Sequence, residues 1–292
     1  MSIIEKAASR LQQNTRDAAP RLEAVPPPAI LERTIEREIK PVHKEEVRQP
    51  RKVSPRQDMD LARLRQHGMV VPNVEKSQVA EEFRFIKRPL LKNAARTGED
   101  AGNRSNLIMV TSALPGEGKT FCAINLAMSI AMEVDHRVLL VDADVARPSV
   151  LRTLGLESGP GLMDLLLDEQ LDVADVLLRT NVERLSILPA GKSDKNATEL
   201  LASQGMSRLL AEIGSRYSDR IVIFDSPPLL LTSEARVLAS QMGQIAVVVE
   251  AEKTTQNALR DALRKIEACT NVSLIYNKSR GFADADGYGY YS

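Results

Sequence analysis

The chain has 292 residues, 43% of them hydrophobic, which is enough for one or two domains with a sizeable buried core. Lys plus Arg and Asp plus Glu stand at 39 each, so the overall charge offers nothing to nucleic acid or to an anionic membrane surface, and no nucleic-acid partner is expected. Two cysteines, no leader pattern and no apolar run near the roughly 18 residues of a membrane helix point to a reduced, cytoplasmic protein.

Eight of the 15 prolines lie at or before Pro72, and no aromatic residue precedes Phe83. Such a segment buries too little apolar surface to offset the entropy of ordering it. Residues 1–75 are therefore expected to form a disordered tether rich in proline and charge, with short helices around Ile30–Ile39 and Met59–Gln66. A domain over 76–280 and a tail over 281–292 follow.

From Leu107 onward, short β-branched or leucine-rich runs alternate with longer helical ones: Leu107–Thr111, Arg137–Val141, Leu185–Pro189, Ile221–Phe224, Ile245–Glu250 and Ser273–Tyr276. Continuous apolar strands separated by helices predict a parallel sheet covered on both faces, a doubly wound α/β domain. The first strand runs straight into Ala113-Leu-Pro-Gly-Glu-Gly-Lys-Thr120, which opens a helix predicted from Lys119 to about Met132. This is the pattern of a P-loop NTPase with a deviant Walker A sequence. Gly116 and Gly118 let backbone N–H groups curl around phosphate oxygens, Lys119 reaches the β- and γ-phosphates, and the Thr120 hydroxyl ligates Mg²⁺. The segment Pro115, Gly116, Glu117, Gly118, Lys119, Thr120 and Phe121 is thus the expected ATP-binding loop.

The second strand ends in Asp142-Ala-Asp144 and a later one in Asp225-Ser-Pro-Pro, at the sheet edge that also carries the loop. Taken singly, an Asp-x-Asp pair is more often a solvated turn; its place after a buried strand one crossover beyond the loop reverses that. Phosphoryl transfer needs positioning, charge neutralisation and an acceptor for the attacking hydroxyl's proton. Lys119, Asp142 and Asp144 are the expected catalytic residues, with Asp142 as the base and Thr120, Asp144 and Asp225 on the metal. At the other end, Gly287-Tyr-Gly-Tyr-Tyr-Ser292 sets three tyrosines, Tyr288, Tyr290 and Tyr291, among glycines on a chain end without apolar periodicity, in the manner of phosphoacceptors.

These motifs, with Glu81-Glu-Phe-Arg-Phe-Ile-Lys-Arg88, resemble the bacterial tyrosine autokinases of capsule and exopolysaccharide export, closest to those of exosortase-linked polysaccharide loci. The resemblance covers residues 78–292. It implies ATP- and Mg²⁺-dependent phosphorylation of the tail in trans within a ring of subunits joined through a Glu-x-x-Arg-x-x-Arg helix, matched here by Glu81, Arg84 and Lys87. It further implies that Asn277 contacts adenine, that a separate membrane chain-length-determinant protein activates the kinase and recruits it to the inner membrane, and that a cognate tyrosine phosphatase acts on it. The sequence departs from the family pattern at Lys87, which replaces an arginine and cannot supply a bidentate fork, and at Ala146, where the family has an arginine after its aspartate pair. A different reading is an ATPase of the septum-positioning and partitioning class, which uses nucleotide for surface assembly; its second loop lysine would stand where this chain has Leu114. An interaction module using nucleotide as a structural switch is the third.

Overall fold

The apolar runs become the centre of a seven-stranded sheet whose spatial order is β3-β4-β2-β5-β1-β6-β7. In the computed structural model, which describes residues 54–72, 77–95, 104–215 and 220–279, the strands are β1 (Leu107–Ser112), β2 (Arg137–Asp142), β3 (Leu178–Arg179), β4 (Leu185–Leu188), β5 (Arg220–Asp225), β6 (Gln244–Glu250) and β7 (Val272–Asn277). Every neighbouring pair is parallel except β3 with β4. That antiparallel edge strand departs from the parallel sheet expected; two residues are too few to carry a period.

The helices are α1 (Leu61–Gln66), α2 (Gln78–Ala94), α3 (Lys119–Ala131), α4 (Val150–Leu154), α5 (Leu162–Leu167), α6 (Val173–Val176), α7 (Ala197–Leu201), α8 (Gln204–Ser215), α9 (Ser233–Ala239) and α10 (Gln256–Arg264). Side chains alternate along each strand, so β1 sends Ile108 and Val110 into a core shared with α1–α4, and Leu107 and Met109 into one shared with α5–α10. Both faces of β1 are buried, which is why Leu107–Val110 reads as an unbroken apolar run. Helix α3 is buried at every residue from Cys122 to Ala131 and touches both α2 and the sheet.

Side-chain caps set the helix starts. Asp60, Ser77, Thr232 and Thr255 accept from the backbone N–H groups of Arg63, Ala80, Ala235 and Ala258 at α1, α2, α9 and α10. Helix α2 turns Phe83, Lys87 and Leu90 inward, and the Phe83 ring meets Phe121 of α3 edge-on with centroids 6.4 Å apart.

The tether boundary expected at residue 75 moves. Residues 54–72 form a strap across the domain: Gln57 N donates to Arg179 O at 2.9 Å, Arg179 N to Pro55 O at 2.8 Å, and Met59 exchanges two hydrogen bonds with the Asn181 amide. Val70 N then donates to the buried Asn125 Oδ1 at 2.6 Å. Met59, Leu64, Met69, Val70 and Val71 are buried in the core of α2 and α3. Pro55 and Pro72 stand at the two ends of this stretch, its charged side chains are exposed, and five buried apolar side chains fasten it between them. The short helix expected near Met59–Gln66 is α1. The tether over residues 1–53, the helix expected at Ile30–Ile39 and the tyrosine tail lie outside the described residues.

Candidate active site

Strands β1, β2 and β5 end side by side, and their C-terminal ends present the loop, Asp142 and Asp225 to one point. The turn after β1 requires left-handed backbone at Gly116 (φ 84°) and Gly118 (φ 97°). At Gly118 a Cβ would also lie 2.2 Å from Asn277 Nδ2. Glycine is needed there twice over, for conformation and for close approach.

Lys119 Nζ donates to Asp144 Oδ2 at 2.7 Å and lies 4.0 Å from Asp225 Oδ1. Burial alone would lower the lysine's pKa, but the carboxylates of Asp225, Asp144 and Asp142 outweigh it and raise the value. The ammonium therefore stays charged. Thr120 Oγ1 donates to Asp225 Oδ2 at 2.7 Å and shares a hydrogen bond of 2.9 Å with Ser149 Oγ.

Asp142 is used on one side only. Its Oδ2 accepts from Ser149 N at 3.0 Å and Val150 N at 2.9 Å, fastening the start of α4, while Oδ1 is buried without a hydrogen-bond partner. Asp225 Oδ1 is likewise buried without a hydrogen-bond partner, with the Lys119 ammonium 4.0 Å away. Burial pushes Asp142 up to about 6 against those backbone donors, and pushes Asp225 up to about 7 against the pull of Lys119 and the Thr120 hydroxyl.

The loop itself is braced from behind. The Glu117 carboxylate accepts from Leu114 N at 2.8 Å and from the Thr254 hydroxyl. Asn277 Nδ2 donates to Glu117 O at 2.9 Å, and Lys278 Nζ donates to Gly116 O at 2.6 Å while pairing with Glu250 at 3.2 Å. The side chain of Glu117 thus braces the loop, and one of the two amide hydrogens of Asn277, the residue expected at adenine, is held by the loop backbone. Ser149, Thr254 and Lys278 were not singled out in the sequence. Ser149 had a faint signal, since it follows the aspartate pair by one turn; Thr254 and Lys278 had none, because only the meeting of β6, β7 and the loop gives them work.

Away from the loop, Glu81 and Arg84 pair with each other on the outer face of α2, both partly exposed. Lys87 is not on that face. It is buried, with Nζ donating to Ser129 O and pairing with Glu133 Oε1, both at 2.6 Å. The expectation that Glu81, Arg84 and Lys87 together meet a neighbouring subunit fails at Lys87, whose ammonium is consumed in joining α2 to α3.

Among the described residues, no group of three or more His, Cys, Asp or Glu forms a metal cluster of its own. The orphaned Asp225 oxygen, beside the Thr120 hydroxyl and a phosphate loop, does fit Mg²⁺, which takes one or two carboxylates and fills its shell with phosphate and water. Thr120 and Asp225 are placed for that role. Asp144 is bound to Lys119 and would have to release it first.

A family model described as an AAA domain matches residues 105–277. The tyrosine-protein kinase YwqD of Bacillus subtilis (strain 168) is 31% identical over 228 residues, which cover 77% of this chain and 92% of YwqD. The putative tyrosine-protein kinase EpsB of Ralstonia solanacearum is 33% identical over 169 residues, 58% of this chain but only 22% of the length of EpsB. Among solved structures, the BceF tyrosine kinase domain superposes with a TM-score of 0.61 at 28% identity, over 77% of this chain and 90% of that one. Fold and loop thus define the class, an α/β nucleotide-binding protein of the AAA-domain family. Within that class the chain belongs to the bacterial tyrosine-protein kinases.

Proposed function

We propose that this chain is an ATP-dependent protein-tyrosine kinase that phosphorylates Tyr288, Tyr290 and Tyr291 of neighbouring copies of itself. The observation that carries the reading is the convergence of Lys119, Asp142, Asp144 and Asp225 on the phosphate loop. That the named relatives are tyrosine-protein kinases favours it over the partitioning-type ATPase.

ATP would lie with its phosphates in the turn of Gly116–Thr120 and its base toward Phe121 and Asn277. Lys119 would leave Asp144 for the β- and γ-phosphates and draw charge from the group in flight. The tyrosine oxygen forms its bond to the γ-phosphorus as the bond to the ADP oxygen breaks, and the phenol proton passes to Asp142 Oδ1. A carboxylate whose pKa has risen to about 6 is a better proton acceptor than an ordinary aspartate and is still ionised at neutral pH. Asp225 and Thr120, joined by a hydrogen bond, are the residues that would hold Mg²⁺, with Asp144 beside them. When bound, Mg²⁺ supplies neutralisation of the phosphate charge.

Asp142→Asn tests this assignment. Asparagine can keep its carbonyl oxygen on the Ser149 and Val150 amides and turn its NH₂ to the unpartnered side, so the start of α4 survives. Tyrosine phosphorylation should fall by about 10²–10⁴-fold with ATP affinity retained; equal loss of both would make Asp142 a structural or metal-holding residue.

By the same resemblance the kinase controls exopolysaccharide polymerisation and export of the exosortase-linked type, within a ring of its own copies. A separate membrane activator recruits it to the inner membrane and a cognate phosphatase resets the tail. Among the described residues no helix is long and apolar enough to cross a membrane. The partial exposure of Glu81 and Arg84 supports a role for that pair of α2, without Lys87, in the contact with a neighbouring subunit.

A further inference from the structure

Between α2 and β7 runs a groove of about 690 Å³. Its inner end, at Phe121 and Asn277, belongs to the nucleotide reading above. Its outer part serves nothing described so far, yet Phe85, Leu274 and Tyr276 stand 70%, 54% and 65% exposed along it. Strand β7 is the last of the sheet and pairs only with β6 among the described residues, so its second edge presents backbone donors and acceptors beside exposed apolar side chains. An uncovered edge of that kind invites pairing, and proteins ordinarily cover or charge it.

The distribution of aromatic residues indicates what covers it. The chain has five Phe, five Tyr and no Trp. Phe83, Phe85, Phe121 and Tyr276 line the groove. Phe282, Tyr288, Tyr290 and Tyr291 lie in the segment that follows it, which leaves only Tyr217 and Phe224 for the rest of the molecule. Ser279, from which that segment departs, is itself a wall of the groove. The backbone at Lys278 is already left-handed (φ 59°), with Gly281 three residues on, as a reversal of chain direction requires. At about 3.3 Å per residue, the segment 280–292 can extend about 40 Å, twice the length of a six-residue strand.

We infer that the unphosphorylated tail, residues 280–292 of the same chain, turns back along the free edge of β7 and seats its aromatic side chains against Phe85, Leu274 and Tyr276. Aromatic pairs and strand pairing both favour the arrangement. Resting on the reading of Tyr288, Tyr290 and Tyr291 as acceptors, it also defines a switch. Each phosphate adds about 1.5–2 negative charges, which Phe85, Leu274 and Tyr276 do not solvate and Glu82 repels, while Lys278, the cation of the lining, is already engaged by Glu250 and Gly116 O, so a modified tail leaves and uncovers the groove.

Hydrogen–deuterium exchange of the full chain, treated with phosphatase, tests this against a chain ending at Ser279 and against the full-length double variant Phe85→Ser/Leu274→Ser. Both replaced side chains are exposed, so the double variant should keep the fold. Removing the tail should speed exchange in β7 and the first turns of α2 by about tenfold; the double variant should do the same and also release residues 282–291. Unchanged exchange in β7 after truncation would overturn the docking, and protection that fades on dilution would assign the groove to a neighbour's tail instead. The kinase reading fails separately: no phosphotyrosine after incubation with Mg-ATP would sink that reading, while deprotection on truncation would still support docking.

Discussion

The centre of the sheet and its two flanks are built from different kinds of information. At the centre, β1, β2 and β5 each run a few apolar residues and end in the group that matters, so that loop, Asp142 and Asp225 meet because the strands are neighbours in register. On the flanks the partners come from far along the chain. The strap of residues 54–72 joins β3 through backbone hydrogen bonds and α3 through the Asn125 amide, and α2 joins α3 through Lys87 and the Phe83–Phe121 pair, in each case with no local pattern to announce it. Chemistry sits where the sequence is regular, and the surfaces that hold and regulate it sit where it is not.

If the strap is part of the domain, damaging it should cost as much as damaging the centre. Leu64→Ala, at a side chain only 2% exposed, should destabilise the protein by about 2–5 kcal/mol in urea unfolding. A cost near zero would return the strap to the tether. Gly118→Ala attacks the centre through its backbone. The left-handed φ and the 2.2 Å approach to Asn277 predict about 1–3 kcal/mol of strain together with lost nucleotide binding, read by calorimetry with an ATP analogue. Asn125→Ala leaves the buried Val70 N–H without an acceptor and should cost about 1–3 kcal/mol, while tyrosine phosphorylation by the folded fraction stays unchanged.

A titration gives the gentlest contrast. Asp142 and Asp225 hold protons in the folded, nucleotide-free protein up to about 6 and about 7, whereas the unfolded chain releases them near the ordinary aspartate value. Between those values the folded state binds more protons, so the contribution of these groups to stability is complete below about pH 4 and is lost as pH rises through 6 to 7. The slope is at most about 1.4 kcal/mol per pH unit for each proton. Urea midpoints between pH 5 and 8 should show the decline, and Asp142→Asn should flatten it; an identical slope in that variant would remove Asp142 from the account.

Much of the centre was legible in advance. Six strands were placed to within a residue or two, and Lys119, Thr120, Asp142, Asp144 and Asp225 converge as the loop and the strand-end aspartates required. What the sequence could not display was the direction of a side chain on a helix with two occupied faces. Lys87 has the spacing of a surface residue next to Arg84, yet α3 offers it a carbonyl at Ser129 and a carboxylate at Glu133, and it turns inward. Glu117 lies within a phosphate-binding pattern but works as a brace, because Thr254 arrives beside it from a residue 137 positions away. The strap failed for a similar reason. Composition reports how much apolar surface a segment carries, and not whether another part of the chain has left a place for it.

The central claim is that the loop and its aspartates move phosphate from ATP onto the tail. Its most direct test is phosphosite mapping by intact mass and peptide sequencing after incubation of the purified protein with Mg-ATP, beside Lys119→Met. Phosphate on Tyr288, Tyr290 or Tyr291 in the native sequence, falling by at least about 10²-fold in the variant, is the result expected. Tail phosphorylation that persists undiminished in Lys119→Met, or ATP hydrolysis that leaves the tail unmodified, would contradict it.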